Sequence, residues 1–195
     1  MSNLINPLQA LVDQASKAKE SGKIDLYAQR INANPAGVSA IALDTSGSMN
    51  ERVESGARKI DVLRQSLDRP LSVDEVAITF NCICTQLPSL QAIPEPGGGT
   101  AMHLALAEIA NLKPRQTLVI SDGRPDLKQK VLAEAKGVTG VINTLYIGSD
   151  DDLEAIEFMR QLARVGCGIS RTCDIRVAPP KQLKSAIALL LSSSK

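Results

Sequence analysis

Short oxygen-bearing side chains alternate along the segment Asp44-Thr45-Ser46-Gly47-Ser48. An apolar run over residues 38–43 precedes this segment and is typical of a buried strand. Asp44, Ser46 and Ser48 are therefore expected to crowd the turn at the carboxyl end of that strand. One carboxylate beside two hydroxyls suits a hard cation such as Mg²⁺, whereas zinc favours Cys and His ligands. The segment predicts a site that leaves its cation under-coordinated. A carboxylate from outside could then complete the coordination shell.

Two later segments place further oxygen ligands at the same predicted edge. Thr100 follows the Gly-rich loop 96–99 and precedes a helical pattern, and Asp122 follows a second buried-strand pattern, residues 117–121. Ligand sites in parallel α/β sheets lie beyond the carboxyl ends of the strands, and Asp44 and Asp122 both fall at that edge by the pattern. Taken singly, each of these residues could instead be an ordinary turn or helix-capping residue.

The five residues together resemble the metal-ion-dependent adhesion site (MIDAS) of the von Willebrand factor A (vWA) domain. That motif is Asp-x-Ser-x-Ser, then a Thr, then an Asp, and the resemblance covers roughly residues 36–191. The matching residues are Asp44, Ser46, Ser48, Thr100 and Asp122. The resemblance implies that the hydroxyls coordinate Mg²⁺ or Mn²⁺ directly. It also implies that both aspartates act directly or through water, and that an Asp or Glu of a partner protein completes the shell.

Four neighbouring residues are predicted at the rim of the ligand site, namely Met49, Gly99, Arg124 and Asp150. Arg124 is equally well interpreted as half of a surface ion pair. The acidic run 150–152 also has a simpler interpretation, since negative charge stabilises the amino terminus of a helix.

Composition narrows the class of partner. The chain has 195 residues and a net charge of +1, with no Trp and only two Tyr and two Phe. Neither a basic patch nor aromatic platforms for base stacking are present, so nucleic acid is not expected. The chain shows no span-length apolar segment and no signal-peptide pattern at its start. These features predict a cytoplasmic protein without membrane insertion, resembling small intracellular bacterial vWA proteins.

The four cysteines are expected to be reduced thiols. Cys82 and Cys84 would share one face of a strand, but a zinc site needs more ligands and His103 is the single histidine. Whether Cys167 pairs with Cys173 stays open.

The chain order predicts two parts, an N-terminal helical extension over residues 1–35 and a vWA domain over 36–195. The extension carries one apolar stripe, which could pack on the domain or bind a partner. The second part alternates strands and helices, which predicts a doubly wound, Rossmann-like α/β fold. Its mostly parallel sheet would have helices on both faces and one short antiparallel edge strand at 83–87. The remaining predicted strands are 38–43, 76–80, 117–121, 142–147 and 174–177, and the predicted helices are 51–67, 101–112, 127–136, 151–164 and 181–191.

The favoured function is a non-enzymatic, metal-dependent protein-binding module. The resemblance suggests partners such as a MoxR-type ATPase or a component of a stress-response or phage system. One alternative is a structural subunit that assembles through the N-terminal helix. Another is a Mg²⁺-dependent phosphohydrolase of the haloacid-dehalogenase type. Such an enzyme would require an acidic residue at position 46, which is occupied by Ser46. The loop 97–100 also lacks the Lys of a phosphate-binding loop.

Overall fold

A computed structural model of the protein describes residues 29–30, 32–177 and 180–192. The helical extension predicted over residues 1–35 falls almost entirely outside that part of the chain, so the boundary at residue 36 stays a prediction. No helix among the described residues is long and apolar enough to cross a membrane.

The described residues form one six-stranded sheet flanked by helices. The strands are β1 (Ser39–Asp44), β2 (Glu75–Phe80), β3 (Cys84–Leu87), β4 (Gln116–Ser121), β5 (Val141–Tyr146) and β6 (Cys167–Thr172). The helices are α1 (Lys59–Ser66), α2 (Met102–Leu112), α3 (Lys128–Gly137), α4 (Leu153–Val165) and α5 (Pro180–Ser192).

The sheet order is β3-β2-β1-β4-β5-β6, and the β2–β3 pair alone is antiparallel. The remaining neighbouring strands are parallel. The strand order places β1 in the interior of the sheet, between β2 and β4. The predicted doubly wound, mostly parallel α/β fold with a short antiparallel edge strand is therefore confirmed.

Successive side chains of β1 point to opposite faces of the sheet and pack in two separate hydrophobic cores. Ile41 and Leu43 join the cluster that contains Ile60 of α1 and Leu183 of α5. Ala40 and Ala42 join the cluster on the opposite face, which is built with α2, α3 and α4. Since successive strand residues point to opposite faces, a strand buried on both sides must be apolar at every position. That requirement explains the four consecutive apolar residues, 40–43, before Asp44.

The predicted helix over 51–67 is wrong in its first half. A short 3₁₀ turn (Gly47–Asn50) is followed by a loop, and the helix begins only at Lys59. Within the loop the Val53 amide donates to the Ala57 carbonyl at 2.9 Å, and Gly56 adopts a left-handed φ of 82°. Gly tolerates that conformation at no steric cost, so the turn competes successfully with a helix here.

The predicted last strand over 174–177 is also wrong. Asp174 accepts a hydrogen bond from the Arg176 amide at 2.9 Å, which makes this segment a turn. The last strand is β6, Cys167–Thr172, whose residues are half-buried or exposed. An edge strand has one neighbour and needs little apolar character, so its sequence carried no strand pattern.

Candidate metal centre

The parallel pairing of β1 with β4 brings the two aspartates to one edge. Leu43 lies opposite Ile120 in the ladder, so Asp44 and Ser121 follow at the same level and Asp122 comes next. Both Asp44 and Asp122 are buried, with 0% and 6% of their surface exposed. The pairing of β1 with β4 therefore puts both carboxylates at the carboxyl edge of the sheet, and on adjacent strands.

Asp44 is held by hydrogen bonds to both carboxylate oxygens. Oδ1 accepts from the Ser46 amide at 2.8 Å, and Oδ2 accepts from the Ser121 hydroxyl at 2.5 Å. Burial raises the pKa of Asp44 to about 6, and the negative charge of Asp122 adds to that rise. The hydrogen bonds from Ser121 and Ser46 partly offset it. Asp44 is thus a buried carboxylate that fixes the path of the turn.

The two serines present neighbouring oxygens. Ser46 Oγ and Ser48 Oγ are hydrogen-bonded to each other at 3.1 Å, and Ser48 Oγ donates to Asp122 Oδ1 at 2.7 Å. Adjacent ligands of an octahedral Mg²⁺, with bonds of about 2.0–2.1 Å, are separated by about 3 Å. The spacing of the two hydroxyls and their hard-oxygen chemistry therefore fit Mg²⁺ or Mn²⁺.

The Gly-rich loop is tied to the turn that carries the serines. The Gly97 amide donates to the Thr45 carbonyl at 2.9 Å, and the Gly47 amide donates to the Gly98 carbonyl at 3.0 Å. Gly98 has a left-handed φ of 76°, and a Cβ there would meet Cys82 Sγ at 2.7 Å, so the loop requires glycine.

Thr100 follows that loop and is 8% exposed. Its amide donates to Asp126 Oδ2 at 2.8 Å, and the Asp126 amide donates back to the Thr100 carbonyl at 3.1 Å. These bonds fix the backbone of Thr100 beside the segment after β4. Direct coordination of an ion by the Thr100 hydroxyl stays a prediction.

Lys59 was missed as a site residue. Its Nζ donates to Asp122 Oδ2 at 2.7 Å and to Glu51 Oε2 at 2.5 Å. Burial opposes the charge of Lys59, but the two carboxylates outweigh it and raise its pKa. A signal existed in the sequence, since Lys59 lies four residues before the apolar Leu63 within the predicted helix 51–67 and so shares its helix face.

Ser121 was the second residue missed. It appeared only as the end of an apolar strand, yet it supplies one of the two bonds that hold Asp44. The register of β1 against β4 is what reveals it, and that register was not available from the sequence.

The predicted rim residues divide into two groups. Met49 is fully buried and packs in the core, so its side chain does not line a rim. Arg124 and Asp150 are exposed on the carboxyl edge, and Gly99 donates its amide to Cys82 Sγ at 3.0 Å. Arg124 forms the surface ion pair that was the second interpretation of this residue. It pairs with Asp152 at 2.9 Å and with Glu154.

The acidic run before α4 has the expected capping residue. Asp152 accepts a hydrogen bond from the Ala155 amide at 3.0 Å and so caps α4. Over the described residues, no three side chains of the His, Cys, Asp and Glu types converge as a metal cluster. The candidate donor set is instead hydroxyls supported by two carboxylates.

No protein-family model matches the chain, and no curated protein sequence matches it. Among solved structures, the fold is similar to the crystal structure of an aerotolerance-related membrane protein from Bacteroides fragilis NCTC 9343 carrying multiple mutations to serines. The TM-score is 0.58 at 21% identity, over 80% of this chain and 98% of that one. At that identity the similarity concerns the fold alone, and it supports the mostly parallel, Rossmann-like α/β architecture.

Proposed function

We propose that this chain is a non-enzymatic protein-binding module that works through a bound Mg²⁺ or Mn²⁺. The ion would be held by the hydroxyls of Ser46, Ser48 and Thr100, and a carboxylate of a partner protein would complete its shell. The observation that carries the proposal is the pair of serine oxygens 3.1 Å apart, one of them held by Asp122. Asp44 and Asp122 orient this pair and supply negative charge.

The surroundings of the site favour a protein as the ligand. Eight large hydrophobic side chains are exposed among the described residues, and four of them follow carboxyl ends of strands, on the edge that holds the candidate centre. These four are Ile83, Leu127, Leu153 and Val177. Protein interfaces combine apolar contacts with a few directed polar ones, which is the mixture found at this edge.

A phosphohydrolase is disfavoured by the state of Asp44. A nucleophilic aspartate must present a free carboxylate oxygen to phosphorus. Asp44 has no exposed surface, and both of its oxygens accept hydrogen bonds. An Asp at the end of the first strand, Asp44, and Lys59 beside Asp122 are features that such an enzyme would share. An assay with a generic phosphomonoester in Mg²⁺ separates the two functions, since we expect no turnover.

The assembly alternative concerns the N-terminal extension, which lies almost entirely outside the described residues. Deletion of residues 1–30 tests it, because a partner bound through the N-terminal helix would be lost while the metal centre stayed intact. The partner classes that the resemblance suggests, including a MoxR-type ATPase, and a cytoplasmic location are parts of the same proposal.

The experiment that tests the function is a pull-down from host lysate in Mg²⁺ and in EDTA. Asp44→Asn is the matched variant, since asparagine keeps the shape and can still accept from the Ser46 amide. We expect a partner retained only by the wild type and only with Mg²⁺. A partner retained equally in EDTA would place the binding surface elsewhere and contradict metal-bridged recognition.

A further inference from the structure

We infer that Lys59 is a built-in counter-cation of Asp122, which keeps the ion-loaded centre positively charged and thereby favours an acidic ligand. This inference rests on the proposed function and deepens it. The side chain of Lys59 would lower the affinity of the centre for the ion and raise its affinity for the partner's carboxylate.

The contact is buried and specific. Lys59 Nζ lies 2.7 Å from Asp122 Oδ2, and the exposed fractions of the two side chains are 7% and 0%. Lys59 is also the first residue of α1, where the helix dipole disfavours a positive charge. A residue that breaks a local rule and gains a buried partner marks a place where function constrains the sequence.

Lys59 divides the two oxygens of Asp122 between two tasks. Oδ1 accepts from the Ser48 hydroxyl, and Oδ2 is engaged by Lys59. Asp44 is likewise engaged through both oxygens, by Ser46 and Ser121. The carboxylates therefore orient hydroxyls, and an ion at this edge meets largely neutral oxygen ligands.

The charges near the centre then favour an anionic ligand. Asp44 and Asp122 bring two negative charges, and Lys59 cancels one of them. Glu51, the other partner of Lys59, is 65% exposed and is screened by water. A divalent cation leaves the buried centre with one net positive charge, where without Lys59 it would be neutral. The lysine weakens retention of the ion and strengthens attraction for a carboxylate.

The test removes the charge and follows two affinities. Lys59→Met keeps the length of the side chain, and Lys59→Gln keeps a hydrogen-bond donor toward Asp122. The ion is measured as Mn²⁺ by electron paramagnetic resonance and as Mg²⁺ by calorimetry. The carboxylate is measured as acetate titrated into the Mn²⁺-loaded protein, followed by relaxation of the acetate methyl protons. Lys128→Met is the matched control, because it removes a surface lysine paired with Glu154.

We expect both Lys59 variants to bind the ion at least about tenfold more tightly and acetate severalfold more weakly, whereas Lys59→Arg and Lys128→Met stay near the wild type. In an Asp122→Asn background, Lys59→Met should still tighten ion binding, because the positive charge of Lys59 opposes the cation whether or not Asp122 is charged. A role of Lys59 confined to positioning Asp122 would instead leave ion affinity unchanged in that background. If Lys59→Met does not fold, the ion and acetate affinities of Lys59→Gln test the counter-cation role.

The outcomes separate this inference from the proposed function. Ion binding that is equal in the wild type and both Lys59 variants would overturn the counter-cation role and leave the function standing. Ion binding by the variants alone would support the role of Lys59 while contradicting a metal-dependent function of the wild type. Absence of ion binding in every protein would overturn both.

Discussion

Ser121, at the end of β4, donates a hydrogen bond of 2.5 Å to Asp44, at the end of β1. The bond joins neighbouring strands, so the register of the sheet itself holds this carboxylate. The second oxygen of Asp44 accepts from the Ser46 amide and links the same carboxylate to the turn that carries both serines. One buried residue thus couples the central strands to the candidate ligands.

The buried charge of Asp44 should make the metal-free protein less stable as pH rises. Its pKa is 3.8 in the unfolded chain and about 6 in the folded protein. Between these values the unfolded chain loses its proton first, so the free energy of unfolding falls, by up to about 3 kcal/mol at pH 7. Asp44→Asn should therefore be more stable than the wild type at pH 7 in EDTA, and nearly equal to it near pH 4.

Urea unfolding of both proteins in EDTA at the two pH values measures this difference, and Mg²⁺ should restore stability to the wild type alone. A difference in free energy of unfolding that stays the same at pH 4 and pH 7 would show that titration of Asp44 is not its source.

Ser48→Ala should weaken binding of Mg²⁺ by at least about tenfold. The change removes a proposed ligand and leaves Asp122 Oδ1 without its donor, an effect of about 1–3 kcal/mol on stability in EDTA. Ser55→Ala, at an exposed position of the neighbouring loop, is the control and should change neither quantity. Calorimetry with Mg²⁺ measures the affinity, and unchanged binding by Ser48→Ala would remove this hydroxyl from the ligand set.

Thr100→Ala should weaken binding of acetate to the Mn²⁺-loaded protein more than it weakens binding of Mn²⁺. Asp126→Ala should reproduce part of this loss, because Asp126 Oδ2 holds the Thr100 amide at 2.8 Å. Asp68→Ala removes an exposed carboxylate elsewhere and serves as the control. Acetate affinity that is equal in Thr100→Ala and the wild type would count against direct coordination by Thr100.

Mg²⁺ and Mn²⁺ should bind more tightly than Ca²⁺. The candidate ligands are hydroxyls, and both carboxylates are engaged in hydrogen bonds within the protein. Ca²⁺ has bonds of about 2.3–2.6 Å and prefers more oxygen ligands than this edge offers. Competition against bound Mn²⁺, followed by electron paramagnetic resonance, ranks the ions. Displacement of Mn²⁺ at lower concentrations of Ca²⁺ than of Mg²⁺ would reverse the assignment.

The central part of the fold was predictable because burial on both faces forces an unmistakable pattern. β1 and β4 are apolar runs that end in Asp44 and in Ser121 followed by Asp122, and the rule for parallel sheets places those ends together. The aspartates and serines of the candidate centre follow from that pattern and from the motif.

The errors have physical causes of a different kind. Residues 51–58 carry helical spacing at Val53 and Ala57, but the turn at Gly56 takes precedence. β6 is a half-exposed edge strand with little apolar signal. Ser121 was missed because its role depends on a contact between distant segments. The helical spacing of Lys59 and Leu63 signals burial of Lys59 alone, and its contact with Asp122 depends on the tertiary fold.

The most direct test of the central claim is a calorimetric titration of Mg²⁺ into metal-stripped protein, comparing the wild type with a variant carrying both Ser46→Ala and Ser48→Ala. The account predicts one binding site in the wild type and no measurable binding in the variant, with both proteins folded by circular dichroism. Equal binding in the two proteins, or none in the wild type, would contradict a metal centre at this edge of the sheet.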